Sequence, residues 1–197
     1  FYNKKLISNS GYYPDEINKL NKLSKSTALQ NTLSIEDYSS CDFIKASNNF
    51  LIQKGPKIIN KNVVFEGNYW KISASHNGYF QKFKVDHYRE IEFYPEQFKF
   101  IGHDKILRRN PDRQIKFDIR FHLHPDSKVM KTQNNKFILI QLLDEGWQFS
   151  CDNYDINIDN GLYFGNKNSY QENQNIFISG MNNESEQIIK WEISKIQ

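Results

Sequence analysis

The 197-residue chain is long enough for one large domain with a hydrophobic core, and 38% hydrophobic and 25% charged residues are ordinary for a globular protein. Its formal charge of +3 is not gathered into a basic block, which argues against nucleic acid as a partner. No apolar run reaches the roughly 18 residues of a membrane span, and the N-terminus lacks the pattern of a signal peptide. Cys41 and Cys151 cannot form a disulfide framework, although one bridge between them is conceivable.

The beginning of the chain already reads as strand-like sequence, so we expect a fragment whose upstream part, with any targeting signal, has been removed. The first predicted element covers residues 14–30, where Ile17, Leu20 and Leu23 recur at helical spacing. This segment is predicted to be a short helix or an ordered loop.

From Val63 to the C-terminus, short segments of period-2 alternation follow one another, most of them closed by a turn signal. The 15% of aromatic residues suits strands and the core between two sheets. No linker or repeat divides the series, so we predict an all-β single domain over residues 1–197, an antiparallel β-sandwich of two packed sheets of jelly-roll or supersandwich type. The predicted strands and the turn signals after them are 69–75 (His76-Asn77-Gly78), 79–93 (Tyr94-Pro95), 98–101 (Gly102), 115–124 (Pro125-Asp126), 137–143 (Asp144-Glu145-Gly146), 147–151, 154–158 (Asp159-Asn160-Gly161), 176–179 (Gly180) and 188–196.

The sequence RFHLHP at residues 120–125 holds the most suggestive polar pattern. Arg120, His122 and His124 share one side of a predicted strand because residues i and i+2 face the same way, while the intervening residues are apolar and face the core. A guanidinium and two imidazoles in one patch suit carboxylate or sulfate groups and proton transfer. The alternative is a solvated strand face whose histidines bond to neighbouring strands.

The other histidines have structural interpretations. His87 and Arg89 lie on an otherwise apolar strand face, so we interpret them as buried and paired, with a carboxylate from an adjacent strand as the partner. His76 is explained by a tight turn at the following Asn-Gly, and His103 by a loop. No nucleophile elbow, phosphate-binding glycine loop or zinc-protease motif occurs. The sequence does not exclude a glycoside hydrolase, which needs two suitably positioned carboxylates.

Several blocks taken together resemble the heparinase II/III-like family, in its order and spacing and over almost the whole chain. The blocks are 6–12 (LISNSGY), 26–33 (STALQNTL), 73–79 (SASHNGY), 86–91 (DHYREI), 102–104 (GHD), 120–125 (RFHLHP) and 145–149 (EGWQF).

The resemblance implies the C-terminal β-sandwich domain of a bacterial polysaccharide lyase, lacking its first strands and the N-terminal α/α toroid. Such lyases cleave uronic-acid-containing chains by β-elimination in a cleft between the two parts, using acid/base groups and stabilisation of an enolate-like charge. It also implies an acidic polysaccharide and the toroid as partners, and the bacterial envelope or periplasm as the location. The sugar, its sulfation and the oligomeric state are not indicated.

The resemblance also bears on single residues. Family members bind a structural metal through an Asp and a His at the positions of Asn9 and Gln30, together with a further upstream His. Neutral amides are poor zinc ligands, so we predict no metal there and no cofactor. The residues that match family blocks, and that we take as candidates for substrate binding without assigning catalytic roles, are His76, Tyr79, His87, Arg89, Arg120, His122 and His124.

Two functions remain open. One is the sandwich half of a polysaccharide lyase, inactive in isolation because the main base and neutraliser lie in the toroid. The other is a non-catalytic carbohydrate-binding or scaffolding module, which Asn9 and Gln30 favour.

Overall fold

The computed structural model describes residues 5–15, 19–46, 49–165 and 169–196. Strands dominate these ranges, and none of the helices there has the length and apolar character needed to cross a membrane. The helices are α1 (Lys19–Lys25) and α2 (Phe80–Phe83). The strands are β1 (Leu33–Ile35), β2 (Asp42–Ala46), β3 (Asn49–Lys54), β4 (Ile58–Glu66), β5 (Tyr69–Tyr79), β6 (Val85–Tyr94), β7 (Lys99–Arg108), β8 (Ile115–His122), β9 (Ser127–Lys131), β10 (Ile138–Leu142), β11 (Glu145–Cys151), β12 (Ile156–Tyr163), β13 (Gln171–Asn182) and β14 (Glu186–Lys195).

The strands form a large sheet, a small sheet and a separate hairpin. The large sheet has the order β4-β5-β6-β7-β14-β11-β10-β9, the small sheet has the order β1-β8-β13-β12, and β2 pairs with β3. Pairing between these strands is antiparallel throughout. The predicted antiparallel β-sandwich is therefore confirmed.

The core lies between the two sheets and follows the predicted alternation of β8. Phe117, Ile119 and Phe121 are buried on the core side of this strand. The Phe121 ring lies 4.9 Å from that of Phe149 and 4.8 Å from that of Trp191, centroid to centroid, and both partners belong to the large sheet. Aromatic side chains bury large apolar areas, so this contact joins the two layers.

The N-terminal region contains the predicted short helix. It occupies Lys19–Lys25 as α1, and a 3₁₀ turn follows at Thr27–Leu29. The predicted contribution of Ile17 lies outside the described residues. Cys41 and Cys151 are both free thiols, so the conceivable bridge between them is absent from the structure.

The predicted turn at His76-Asn77-Gly78 is wrong. These residues belong to β5, which runs on to Tyr79 with a register shift between His76 and Tyr79. The chain reverses instead through α2, so the predicted strand 79–93 is interrupted before β6. Gly78 does not form a turn. It lets the backbone of Ser40 come close to β5, because a Cβ at this position would lie 2.7 Å from the Ser40 carbonyl oxygen.

Three further glycine signals were misread as strand ends. Gly102 lies inside β7, and the predicted loop residue His103 follows it in the same strand, while Gly161 lies inside β12 and Gly180 inside β13. In each case another side chain occupies the space over the glycine. A Cβ at Gly102 would lie 2.0 Å from the Trp191 ring. The prediction also missed the strands that precede Val63, namely β1, β2, β3 and the first half of β4.

We predict that Gly102→Ala lowers the free energy of unfolding by at least about 2 kcal/mol, because the added methyl group overlaps the buried Trp191 ring. Urea denaturation measures the change. The control is Gly55→Ala, where the nearest atom to a new Cβ is 3.9 Å away and the change should stay within about 0.5 kcal/mol. Equal effects of the two substitutions would contradict the packing role of Gly102.

Candidate functional site

A buried carboxylate lies at the centre of the polar groups on the core side of the large sheet. Asp104 of β7 is fully buried and accepts hydrogen bonds from three side chains. His87 Nε2 lies 2.6 Å from Oδ1, Arg89 donates from Nε at 2.8 Å and from Nη2 at 2.9 Å, and Trp191 Nε1 donates to Oδ2 at 2.8 Å. The predicted pairing of His87 and Arg89 with a carboxylate from an adjacent strand is therefore confirmed.

The electrostatics of this cluster keep Asp104 ionised. Burial alone would raise the pKa of Asp104, but the Arg89 guanidinium and the hydrogen bond from His87 outweigh it and hold the pKa well below its usual range. Burial lowers the pKa of His87 despite the carboxylate. The charged pair is therefore Asp104 with Arg89, and His87 is a neutral donor.

His76 extends the cluster, and its contacts determine the positions of the ring hydrogens. The backbone N–H of Gly78 donates to His76 Nδ1 at 3.2 Å, so the hydrogen of the neutral ring is on Nε2. That nitrogen lies 3.2 Å from His87 Nδ1 and donates to it, and His87 in turn donates through Nε2 to Asp104. Burial is the main reason that the pKa of His76 falls to about 4, and the nearby Arg89 guanidinium acts in the same direction. Both ring nitrogens of each histidine are thus engaged within the protein.

Asn31 connects this cluster to the small sheet. Its backbone carbonyl accepts a short hydrogen bond from Arg89 Nη1, and its side-chain Oδ1 accepts from the backbone N–H of His122 at 2.6 Å. Its Nδ2 donates to Asn9 Oδ1 at 3.0 Å. One asparagine therefore joins the N-terminal segment, β6 and β8.

The predicted patch on β8 is divided by the structure. His122 is only 1% exposed, and its Nε2 lies 3.0 Å from the Ala28 carbonyl oxygen. Burial lowers the pKa of His122 to about 4. Arg120 and His124 stay partly open, with 22% and 26% of their side chains exposed. His122 is therefore a buried neutral group, whereas its two neighbours can reach solvent.

Arg120 and His124 have polar and aromatic neighbours. Arg120 Nη1 donates to Asn175 Oδ1 at 2.8 Å and pairs with the exposed Asp159 at 3.3 Å, and its guanidinium lies 4.9 Å from the centre of the Phe177 ring. The His124 ring lies edge-on to that of Tyr163, with 5.6 Å between centroids. We define this surface, made of Arg120, His124, Asp159 and Tyr163, as the β8 polar face.

Asn9, Gln30 and Tyr79 complete the set of predicted positions. Asn9 contacts Asn31 as described, and Gln30 Nε2 donates to the Ser24 carbonyl at 3.3 Å. Among residues 5–15, 19–46, 49–165 and 169–196, no group of three or more His, Cys, Asp or Glu side chains could hold a metal ion. The Tyr79 hydroxyl donates to the buried Leu33 carbonyl at 2.8 Å, and burial raises the pKa of Tyr79.

The predicted candidates thus form two groups. His76, His87 and Arg89 gather around Asp104, while Arg120 and His124 belong to the β8 polar face, and Asn31 lies between the groups. Sequence reasoning missed the central roles of Asp104, Asn31 and Trp191. Asp104 could have been found, because strand alternation from Gly102 places it toward the core, where a carboxylate needs a cationic partner.

Comparisons with known proteins agree with this fold. A model of the family described as Heparinase II/III-like, C-terminal, matches residues 1–192. FtsZ-localized protein C of Caulobacter vibrioides (strain NA1000 / CB15N) is 24% identical over 162 residues, which cover 78% of this chain and 28% of that protein. A crystal structure of a mutant of heparan sulfate lyase HepC from Pedobacter heparinus has a TM-score of 0.77 at 14% identity, over 98% of this chain and 29% of the lyase. A structure of heparinase III gives 0.66 at 13% identity, over 98% and 28%.

The chain therefore spans less than a third of the length of these relatives. The structural likeness, at such low identity, shows that the fold is shared.

We predict that Asp104→Asn lowers the free energy of unfolding by about 3 kcal/mol, because it removes the charge that Arg89 and the other donors face in a buried site. Denaturation in urea provides the measurement. In the matched control, Asp159→Asn removes an exposed carboxylate and should cost less than about 1 kcal/mol. If Asp104→Asn lowers the free energy of unfolding as little as the control does, the hydrogen bonds to Asp104 do not stabilise the fold.

The histidine pKa values predict acid sensitivity. His76 and His122 are neutral in the fold down to about pH 4, but in the unfolded chain they take up protons near their ordinary value of 6.5. The unfolded state therefore binds more protons between these values, so the free energy of unfolding should fall as the pH falls from about 6.5 to about 4. NMR titration of the two imidazoles tests the cause, and midpoints close to 6.5 would refute it.

Proposed function

Because this chain belongs to the heparinase II/III-like C-terminal family, we propose that it is the β-sandwich half of a longer polysaccharide lyase. In this proposal the sandwich packs against an N-terminal helical toroid and forms one wall of a cleft for a uronic-acid-containing polysaccharide. The family match over residues 1–192 is the observation that carries the proposal. The heparan sulfate lyase HepC, which shares the fold, supports an acidic polysaccharide as the substrate class.

The hydrogen-bond pattern supports a division of labour between the two halves. β-Elimination needs neutralisation of the uronate carboxylate, a base for the C5 proton and an acid for the departing glycosidic oxygen. In this chain His76 and His87 use both ring nitrogens internally, and His122 is buried. These three histidines are thus closed to a substrate. In this proposal the main base and the neutralising group belong to the toroid, so that the isolated sandwich is inactive.

The β8 polar face is the part of this chain best suited to the polysaccharide. Arg120 has a fixed guanidinium, and its carboxylate partner Asp159 is exposed. A uronate or sulfate group could take the place of Asp159, because it offers the same charge-assisted hydrogen bonds. His124 and Tyr163 lie further along the same face, where their rings are in edge-on contact. Arg120 would hold the substrate, without a role in proton transfer.

A non-catalytic carbohydrate-binding or scaffolding module is the second candidate. Asn9 and Gln30 place neutral amides where other family members are expected to have metal ligands, and these amides bond to Asn31 and Ser24. The relative from Caulobacter is named for its localisation with FtsZ and not for an enzymatic activity. Both observations favour a role in binding or assembly.

We predict that the full-length protein releases unsaturated uronate products from heparan sulfate or alginate, whereas the 197-residue chain alone does not. Absorbance of the new double bond measures turnover, and calorimetry with the same polymers measures binding. Arg120→Gln in the full-length protein should raise KM about tenfold through loss of a charged hydrogen bond. Lys128→Gln, at an exposed position in β9, is the matched control.

Each other outcome has a definite meaning. Turnover by the isolated chain would overturn the division of labour, and an equal effect of the two substitutions would overturn the role of Arg120. Binding without turnover by the full-length protein would favour the module, and absence of both would reject an acidic polysaccharide of these types as the ligand.

A further inference from the structure

The free edge of the large sheet is formed by β4, whose other side is paired with β5. This strand has nine residues, Ile58 to Glu66, and is long for an edge strand. Within the described part of the chain, no strand pairs with its outer edge. Its outward N–H and C=O groups are therefore available to another strand.

The side chains of β4 are unusually apolar for such an exposed position. Phe65 is 76% exposed, Val63 67% and Ile58 62%. Val63 pairs with Ile72 of β5, which is itself 46% exposed, so the apolar surface extends over two strands. A long edge strand with contiguous exposed apolar side chains is a site of strand-to-strand association.

Charges at the two ends of β4 indicate which strand it would accept. Lys57 precedes the strand and Glu66 ends it, and in the described residues neither has an ion-pair partner. If a second copy of β4 lies antiparallel, the Lys57 end of each strand meets the Glu66 end of the other. The strand is therefore complementary in charge to itself, as a two-fold interface requires.

A β-bulge makes the spacing symmetrical. Ile58 pairs with His76 and Asn60 with Ser75, so one extra residue lies between them. Lys57 is five residues before Asn62, but the bulge reduces this to four strand positions, the same as from Asn62 to Glu66. With Asn62 on the two-fold axis, Lys57 lies opposite the partner's Glu66 at both ends.

We propose that two copies of this chain associate through antiparallel pairing of β4, which joins their large sheets into one continuous sheet. Phe65 of each copy then packs near the partner's Ile58, and Lys57 forms an ion pair with the partner's Glu66. Bulges and lysines can discourage edge pairing, but here the bulges lie toward the two ends of the paired segment, and Lys61 lies opposite the partner's Val63 and not opposite another cation. This association is independent of the polysaccharide role.

Charge exchange tests the interface and its register. Sedimentation equilibrium of the 197-residue chain should show a reversible dimer with twice the mass of one chain. Lys57→Glu or Glu66→Lys alone should raise the dissociation constant at least tenfold, since each places like charges opposite each other at both ends. An equimolar mixture of the two variants should restore dimers, because both end pairs then carry opposite charges.

The control is Lys128→Glu, which makes the same charge change in β9 at the opposite edge of the large sheet and should leave the dissociation constant unchanged. A wild-type chain that stays monomeric at several hundred micromolar would overturn the proposal. So would a control as disruptive as Lys57→Glu, or a mixture of the two variants that stays monomeric. Circular dichroism confirms that each variant is folded.

Discussion

The ionised carboxylate of Asp104, buried between the sheets, is the constraint on which much of this structure depends. A buried charge is tolerated only when it is paired and fully hydrogen-bonded. Asp104 meets that condition with a guanidinium, an imidazole and an indole, from β6 and β14. Because all three donors must converge on it, the register of three neighbouring strands, β6, β7 and β14, is fixed around this single side chain.

This constraint also explains why a domain with several histidines offers few groups for proton transfer. His76 and His87 form a directed chain of hydrogen bonds that ends at Asp104, so these contacts fix the orientation of both rings. Arg120 and His124, on the β8 polar face, stay partly exposed instead. The buried hydrogen-bonded cluster around Asp104 and the partly exposed β8 polar face are therefore separate regions of the fold.

Much of the fold could be predicted from the sequence because two-residue alternation reports directly on burial. The core side of β8 and the predicted pairing of His87 and Arg89 are examples. Several of the errors arose at glycines such as Gly102 and Gly161, which were taken for turn signals. A glycine that makes room for Trp191 and one that turns the chain look alike until the facing residue is known. Asn31 was missed for the same reason, since its contacts join residues 58 and 91 positions away.

Asn31 gives the segment before β1 an influence on both layers. Its carbonyl is bound by the large sheet through Arg89, and its amide is bound to the small sheet through the backbone of His122. A molecule that shifts residues 28–32 must disturb these two anchors together, so strain applied at the surface would reach both sheets at once. The loop can therefore act as a mechanical link that transmits an event at the domain's surface to the packing of its interior.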